Sequence, residues 1–288
     1  MSTQFMTING CSLKVVDRGP KEAPLSILAH HGAPGVGSHA SPLRAYEVLT
    51  DTYRLVVYDA RGSGESEDVP PYTHEQWTAD IEAVRRELGL GRMVMAGGSY
   101  GGYLSIEYAL RYPDSIRALI LRGTGAVRAK ADTTVRAAEE SGRDIDLQRL
   151  HRLMEGRCRS NAEMKACWMD ILPLYTVGRE VTSEEVRRQA ENTHFHYQTH
   201  NWAFGRNLPG WDLRSRLGEI EVPTLIVHGR DDWIVSLDRA RELETGIANS
   251  ELHTFENAGH GPQNEDNERF IELVRDFLSR LEGGGEVL

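Results

Sequence analysis

The chain has 288 residues, and its 33 Lys and Arg against 43 Asp and Glu give a formal net charge of −10. This length suits one large domain or two small ones, and the charge offers no broad positive field for nucleic acid or anionic lipid. Three cysteines leave an odd thiol, and the N-terminus has no basic stretch followed by an apolar run. We therefore expect a cytoplasmic protein without a nucleic-acid or membrane partner.

Short β-branched runs bounded by turn residues predict strands, with helical patterns between them. The predicted strands are 12–16, 25–29, 54–58, 93–96, 118–121, 224–227 and 251–255. The predicted helices include 73–88, 100–112, 237–245 and 267–281. This alternation is typical of βαβ units and predicts an α/β fold, with a mostly parallel central sheet that is covered by helices on both faces.

One interval is far longer than a crossover connection requires. A strand is expected to end at 121 and the next to begin at 224, whereas a crossover needs only about a dozen residues. The stretch 128–216 is polar and helix-rich in pattern. We expect a helical insertion at 126–212 between two parts of one α/β core, 1–125 and 213–288.

The segment 97–102 reads GGSYGG and lies between a predicted strand and a predicted apolar helix. This is a G-x-S-x-G motif in the strand–turn–helix setting, where small residues let the backbone crowd together and leave a serine hydroxyl exposed above the sheet edge. Ser99 is therefore the candidate nucleophile. A glycine turn that merely contains a serine explains the flanking strand and helix less well.

A serine nucleophile needs a base and an acid to orient that base, and both follow later strands in the order serine, acid, histidine. His260 lies in a glycine-flanked loop after the last predicted strand. The strand 224–227 is followed by HGRDD, in which Asp232 is preferred because its spacing from Gly229 places it at the loop tip. Asp231 is then expected to cap the next helix or to pair with Arg230.

An acyl-transfer site also needs hydrogen-bond donors for the developing oxyanion. The backbone N–H of Tyr100, directly after the nucleophile, is one candidate, and the N–H of Ala33 in the loop after strand 25–29 is the other. Small residues there let the backbone approach a substrate. Such a site needs no metal and no cofactor, and we expect neither.

Four ordered motifs carry a resemblance to a known family. The segment 31–35 reads HGAPG, similar to HGGPG; 59–66 reads DARGSGES, similar to DQRGSGxS; 97–102 is similar to GGSWGG; and Gly-Arg-x-Asp and Gly-His elements contain Asp232 and His260. The chain thus resembles the α/β-hydrolase fold, and within it the proline iminopeptidase-like serine hydrolases. The resemblance implies a helical cap and a serine hydrolase that cleaves a small amide or ester through an acyl-enzyme intermediate.

The resemblance is weaker where substrate specificity is concerned. Family aminopeptidases hold a free amino terminus with cap glutamates, whereas here Glu191 lies in a segment with one extra residue and Trp233 follows the acid. We take His31, Glu191, Trp202 and Trp233 as candidate substrate-binding residues. A lactonase, esterase or C–C hydrolase without aminopeptidase activity is the alternative, and a non-catalytic ligand receptor is a third hypothesis. Oligomeric state stays open.

Two further patterns lie in the predicted insertion. His194, His196 and His200 have a spacing that suits a metal, but no acidic or cysteine ligand completes the set nearby in sequence. The aromatic side chains there line an apolar acyl or leaving-group pocket, or form the core of the insertion itself. These aromatic residues are Trp168, Tyr197, Trp202 and Phe204.

Overall fold

The computed structural model describes residues 2–128 and 130–283. Within these residues the strands are β1 (Ser2–Ile8), β2 (Cys11–Arg18), β3 (Ser26–His30), β4 (Arg54–Tyr58), β5 (Met93–Gly98), β6 (Ile116–Arg122), β7 (Thr224–Gly229) and β8 (Ser250–Phe255). They form one sheet in the order β1-β2-β4-β3-β5-β6-β7-β8. The pairs β1–β2 and β2–β4 are antiparallel, and the remaining pairs are parallel. The predicted mostly parallel sheet is confirmed.

The helices of the described residues flank this sheet or connect its strands. They are α1 (Ala40–Tyr46), α2 (His74–Glu87), α3 (Tyr100–Arg111), α4 (Ala131–Glu140), α5 (Leu147–Met154), α6 (Asn161–Ile171), α7 (Ser183–Glu191), α8 (Tyr197–Trp202), α9 (Leu237–Gly246), α10 (Pro262–Glu265) and α11 (Asn267–Glu282). Within the described ranges, no helix combines the length and apolarity needed to cross a membrane.

The central strands are buried on both faces because successive side chains point to opposite sides of a sheet. In β5, Met93 and Met95 pack into the core beneath α2 and α3, while Val94 and Ala96 pack into the core beneath α1 and α11. Each core includes helix residues with helical spacing, such as Phe270, Val274 and Phe277 of α11. The sheet is therefore a rigid middle layer whose strand ends carry the loops.

Strand β1 was not predicted. It lies at the edge of the sheet, where Phe5 is 59% exposed, so it lacks the apolar run that marks the central strands. Its pairing with β2 is set by the turn at Asn9 and Gly10, which have φ of 47° and 73°. An Asn-Gly pair with positive φ is a frequent two-residue hairpin turn, so Asn9-Gly10 is the sequence feature that indicates the β1–β2 hairpin.

The helices α4 to α8 lie between β6 and β7, and we call residues 130–211 the helical segment. Its side chains, which include Leu150, Met164 and Ile171, form most of a hydrophobic cluster that also contains Val36. Val127 and Asp212, just outside the segment, form an antiparallel bridge. The division into a core of 1–125 and 213–288 and an insertion of 126–212 stays a prediction.

Candidate active site

Ser99 lies where β5 ends and α3 begins. Its backbone has φ 56° and ψ −126°, a strained conformation for a residue with a side chain. The N–H of Ser99 donates to the carbonyl of Arg122 (2.9 Å), and its own carbonyl accepts from the hydroxyl of Thr124 (2.8 Å). Arg122, the last residue of β6, and Thr124, just after it, therefore fix the N–H and the carbonyl of Ser99.

The glycines around Ser99 are required by close backbone approach. A Cβ on Gly97 would lie 2.2 Å from the carbonyl oxygen of Gly101, and a Cβ on Gly101 would lie 2.3 Å from the carbonyl oxygen of His31. Neither contact is sterically possible for a side chain. The motif therefore packs the start of α3 directly against the loop that follows β3.

His260 and Asp232 are joined by a hydrogen bond. The Nδ1 atom of His260 lies 2.7 Å from Oδ2 of Asp232, and the other carboxylate oxygen accepts the backbone N–H groups of Ile234 (2.9 Å) and Val235 (3.0 Å). Burial opposes ionisation of Asp232, but the charge and hydrogen bond of His260 outweigh it and lower the pKa of this carboxyl. The acid is therefore an ionised acceptor that fixes the histidine ring.

The neighbouring acid, Asp231, takes no part in this pairing. Its side chain is exposed, and its backbone N–H donates to the carbonyl of Ala258 (2.9 Å). Arg230 pairs with Glu256 instead of Asp231. The structure thus pairs Asp232, and not Asp231, with His260.

Two residues that the sequence analysis did not single out contact the pair. His228 is fully buried, donates from Nε2 to the carbonyl of Val235 (2.8 Å) and lies 3.5 Å from Oδ2 of Asp232. The ring of Tyr175 meets the ring of His260 edge to face, with centroids 5.5 Å apart. His228 is the second-to-last residue of β7 and precedes the loop that contains Asp232, which is a signal that the sequence offers. Tyr175 ends a short 3₁₀ helix (Leu172–Tyr175), for which the sequence analysis found no pattern.

The predicted oxyanion donors lie next to the nucleophile. A Cβ on Gly32 would lie 3.7 Å from Cβ of Ser99, so the 31–35 loop borders the serine. Among the described non-glycine residues positive φ occurs at positions 9, 99 and 257 only, so Ala33 has a conformation that alanine tolerates. Tyr100 is the first residue of α3, where backbone N–H groups have no partner within the helix.

The side chain of Tyr100 belongs to a buried polar cluster behind the turn. Its hydroxyl lies 2.7 Å from Nε2 of His74, whose Nδ1 lies 2.7 Å from Oε1 of Glu107. Trp211 donates its indole N–H to the same carboxylate oxygen (2.7 Å). Burial raises the pKa of Glu107, but the hydrogen bonds from His74 and Trp211 outweigh it and lower the pKa to about 2.

A mostly apolar cavity adjoins Ser99. Its lining residues are Ala33, Val36, Ser99, Leu153, Met154, Met164, Trp168, Ile171, Tyr175, His200, Phe204, Trp233 and Ile234. The ring nitrogens of His200 face the carbonyl oxygens of Pro34 (3.3 Å) and Leu153 (3.0 Å), and burial lowers the pKa of this histidine to about 4. No Asp, Glu, Lys or Arg lines the cavity, so its wall carries no formal charge at neutral pH.

Of the four predicted substrate-binding residues, Trp233 lines this cavity and the other three have different surroundings. His31 is 1% exposed, and its Nε2 accepts the backbone N–H of Ala60 (3.1 Å), so its ring is buried and connects the loop after β3 to the loop after β4. Glu191 is exposed at the end of α7, and Trp202 is 42% exposed. These three residues are not among the residues that line the cavity.

Of the aromatic residues considered for an apolar pocket, Trp168 and Phe204 line the cavity. Tyr197 does not line it. The three spaced histidines also have separate surroundings, with Nε2 of His196 facing the carbonyl of Gly64 (3.1 Å). Across residues 2–128 and 130–283, no three His, Cys, Asp or Glu side chains are placed to hold a metal ion.

Glu265 connects the helical segment to the loop that carries His260. Its Oε1 accepts the backbone N–H of Val177 (2.6 Å), and its Oε2 accepts the backbone N–H of Gly259 (2.7 Å). Val177 follows the turn that contains Tyr175, and Gly259 directly precedes His260. One carboxylate therefore holds the two loops that bring Tyr175 and His260 together.

Comparison with known proteins gives consistent matches. The family described as alpha/beta hydrolase fold matches residues 26–266. The proline iminopeptidase PfmaB of Pestalotiopsis fici is 29% identical over 96% of this chain and 99% of its own length. A 2-hydroxy-6-oxo-6-phenylhexa-2,4-dienoate hydrolase of Comamonas testosteroni is 28% identical over 89% of this chain and 88% of its own. The enol-lactonase of Burkholderia xenovorans superposes with a TM-score of 0.77 at 22% identity, covering 96% of this chain and 100% of its own.

Proposed function

The chain belongs to the α/β-hydrolase fold family, and on that premise we propose that it is a serine hydrolase that cleaves a small amide or ester substrate through an acyl-enzyme intermediate. The resemblance inferred from the four sequence motifs is confirmed, and so is the expectation of an enzyme, since the relatives above are hydrolases. The finer assignment of substrate and residues rests on the site geometry.

The observation that carries the proposal is the 2.7 Å bond between His260 and Asp232, with Ser99 nearby in a strained strand–helix turn. A Cβ on Gly123 would lie 3.4 Å from Nδ1 of His260 and 3.5 Å from Oδ2 of Asp232. The two residues that flank Gly123, Arg122 and Thr124, hydrogen-bond the backbone of Ser99. With Nδ1 donating to the carboxylate, Nε2 of His260 is the ring nitrogen left to accept the proton of Ser99. The serine oxygen then attacks the substrate carbonyl. Asp232, which stays ionised, stabilises the imidazolium that forms.

The backbone N–H groups of Tyr100 and Ala33 receive the negative charge that develops on the carbonyl oxygen. Each such donor contributes about 2.7–4 kcal/mol of transition-state stabilisation in comparable enzymes. His260 next gives its proton to the leaving amine or alcohol and later activates water, which releases the acid and restores Ser99. No step requires a metal or a cofactor.

The helical segment acts as a cap in this proposal. The cavity wall combines Ser99 and Trp233 from loops at the sheet with Leu153, Trp168 and Phe204 from the helical segment. A cavity between a sheet edge and an inserted layer excludes water from the reacting carbonyl, which strengthens the oxyanion hydrogen bonds. This placement supports the predicted insertion at 126–212.

The bond type is the open part of the proposal. One relative is named a proline iminopeptidase and another a dienoate hydrolase, and the same three side chains serve either class. An aminopeptidase needs a counter-charge for the substrate amine, whereas an esterase or lactonase does not. The uncharged wall of the cavity is the observation that favours the second class.

Active-site labelling tests the proposal. A fluorophosphonate probe is expected to label the wild-type protein at Ser99, which mass spectrometry of the tryptic peptide locates. Ser99→Ala is expected to lose labelling and aryl-ester hydrolysis while its circular dichroism stays unchanged. A wild-type protein that neither labels nor hydrolyses any aryl ester would favour the ligand-receptor hypothesis, and a folded Ser99→Ala variant with full activity would exclude the mechanism.

A further inference from the structure

The ring of His228 is buried near the end of β7 and donates one hydrogen bond. Its Nε2 atom lies 2.8 Å from the carbonyl oxygen of Val235, which can only accept, so Nε2 carries the ring proton. Burial lowers the pKa of His228, which favours the neutral ring at pH 7. The Nδ1 atom is then unprotonated, and it is buried without a hydrogen-bond partner among the described residues.

The hydrogen bond of His228 reaches Asp232 through one residue. Val235 accepts from His228 with its carbonyl and donates its own N–H to Oδ1 of Asp232 (3.0 Å). The N–H of Ile234 donates to the same carboxylate oxygen (2.9 Å). The other oxygen, Oδ2, lies 2.7 Å from Nδ1 of His260. A chain of three hydrogen bonds therefore runs from the strand to the ring of His260.

Residues 232–235 form a turn that needs an anchor on the sheet. A carboxylate that accepts the N–H groups two and three residues further on closes its own turn, but these local bonds do not fix the turn relative to a strand. His228 is fully buried on β7, all six residues of which are buried. The next residue, Gly229, approaches the carbonyl of Gly259 too closely to admit a Cβ, so the same strand end also contacts the loop of His260.

The ring of His228 has a cost in the core that an apolar side chain would not have. Leaving the buried Nδ1 unpaired costs about 1–3 kcal/mol. An apolar side chain of similar volume would avoid that cost, but it would take the Nε2–H away from Val235. Nε2 also lies 3.5 Å from Oδ2 of Asp232, so the polar edge of the ring faces the carboxylate. The Nε2–H is thus the part of this ring that serves the site.

We propose that His228 is a positioning residue whose Nε2–H, acting through Val235, holds the carboxylate of Asp232 in the orientation that His260 requires. The inference rests on the proposed hydrolase function and adds a residue to its machinery. His228 is not among the residues that line the cavity. We therefore expect it to affect the chemical steps and not the binding of substrate.

The first test measures the tautomer of His228 in the wild-type protein. ¹⁵N NMR of the histidine-labelled protein at pH 7 distinguishes the two ring nitrogens, and correlation to the backbone of residue 228 assigns the signals. The proposal requires a neutral ring with its proton on Nε2. A neutral ring with its proton on Nδ1 would overturn the proposal without any variant, because Nε2 would then have nothing to donate.

The variants His228→Gln and His228→Met form a matched pair. The two side chains are similar in length and volume, and only glutamine places an N–H donor at about the position of Nε2. For hydrolysis of p-nitrophenyl butyrate, kcat is expected to fall about tenfold in His228→Met, the effect of one hydrogen bond, and to stay within about threefold of the wild type in His228→Gln. We expect KM to stay within about twofold in both variants.

The proton between Nδ1 of His260 and Asp232 gives a signal that a merely structural role of His228 would not move. A short bond to a carboxylate deshields this proton, so its NMR signal lies far downfield, and its absence from His260→Gln assigns it. We expect the signal to shift or broaden in His228→Met and to keep its position in His228→Gln. A folded His228→Met with wild-type kcat and signal would overturn the proposal, as would equal losses in both variants.

Failure of this inference is distinguishable from failure of the proposed function. If Ser99 hydrolyses aryl esters and both variants at position 228 match the wild type, the serine hydrolase stands and His228 has no positioning role. If the wild type neither reacts with the fluorophosphonate nor hydrolyses any aryl ester, the proposed function is wrong. The His260 signal in the two variants then still decides whether His228 fixes the pair of Asp232 and His260.

Discussion

The two hydrogen bonds of Glu265 allow a quantitative test of how the helical segment is held against the His260 loop. The perturbation is Glu265→Gln, which keeps the side-chain size but replaces one carboxylate oxygen with an NH₂ group. The N–H groups of Val177 and Gly259 both need an acceptor, at 2.6 and 2.7 Å in the structure. Glutamine offers an acceptor to one of them and a second donor to the other.

The expected magnitude follows from these two bonds. A hydrogen bond to a charged group contributes about 1.5–3 kcal/mol and a neutral one about 1 kcal/mol. The substitution removes one charged bond and converts the other into a neutral one, and Glu265 is only partly buried, which reduces the effect. We expect the free energy of local opening to fall by about 2 kcal/mol, or about thirtyfold in the opening equilibrium.

Hydrogen–deuterium exchange with peptide mapping measures this change. Peptides that cover 172–178 and 256–262 are expected to exchange about thirtyfold faster in Glu265→Gln, because their amides are protected by the closed state. We also expect kcat to fall more than KM rises, since Gly259 is adjacent to His260. Glu272→Gln, at an exposed position of α11, is the matched control. Exchange and kcat equal to those of the control would show that Glu265 does not hold these two loops together.

Three further substitutions have defined outcomes. Asp232→Asn is expected to lower kcat by about 10⁴-fold because an amide holds His260 in the wrong tautomer, whereas Asp231→Asn leaves kcat unchanged; equal losses would contradict the assignment. Ser99→Gly is expected to end turnover. It is also expected to raise the free energy of unfolding, measured in urea, by about 1 kcal/mol, because the relief of positive-φ strain in the folded state exceeds the conformational entropy that glycine adds to the unfolded chain. A less stable variant would argue against strain. The depressed pKa of Glu107 contributes stability that is complete above its unfolded value of 4.5 and is lost as pH falls toward about 2. The urea midpoint of unfolding should therefore decrease less between pH 5 and pH 3 in Glu107→Gln than in the wild type. An equal decrease in the two proteins would show that Glu107 does not contribute this pH-dependent stability.

The parts of this protein that the sequence predicts are those in which a local residue pattern coincides with the backbone geometry. Strand β5 is a fully buried apolar run that ends in a glycine turn, so its position, its helix and Ser99 all follow from the order of residue types. The choice of Asp232 over Asp231 followed from spacing within one loop. In each of these places a short stretch of chain determines its own conformation.

The remaining features depend on contacts between distant parts of the chain. Tyr175 reaches His260 from a short turn whose direction is set by packing and by Glu265, and no local pattern reports that. Glu191 has the residue type expected of an amine-binding group, but the phase of α7 exposes it to solvent.

The bridge between Val127 and Asp212 has a consequence for how this protein can diverge. The N–H of Leu213 donates to the carbonyl of Ala126 (2.7 Å), so the chain departs from the sheet and rejoins it at a single point. Strands β6 and β7 pair in parallel, from Leu119 opposite Thr224 to Arg122 opposite Val227. Doubling the length of the connection between them adds only about 0.6 kcal/mol of closure entropy. Under the proposed function, the helical segment that lines the cavity can therefore be exchanged while the sheet and the loops that carry Ser99, Asp232 and His260 are retained.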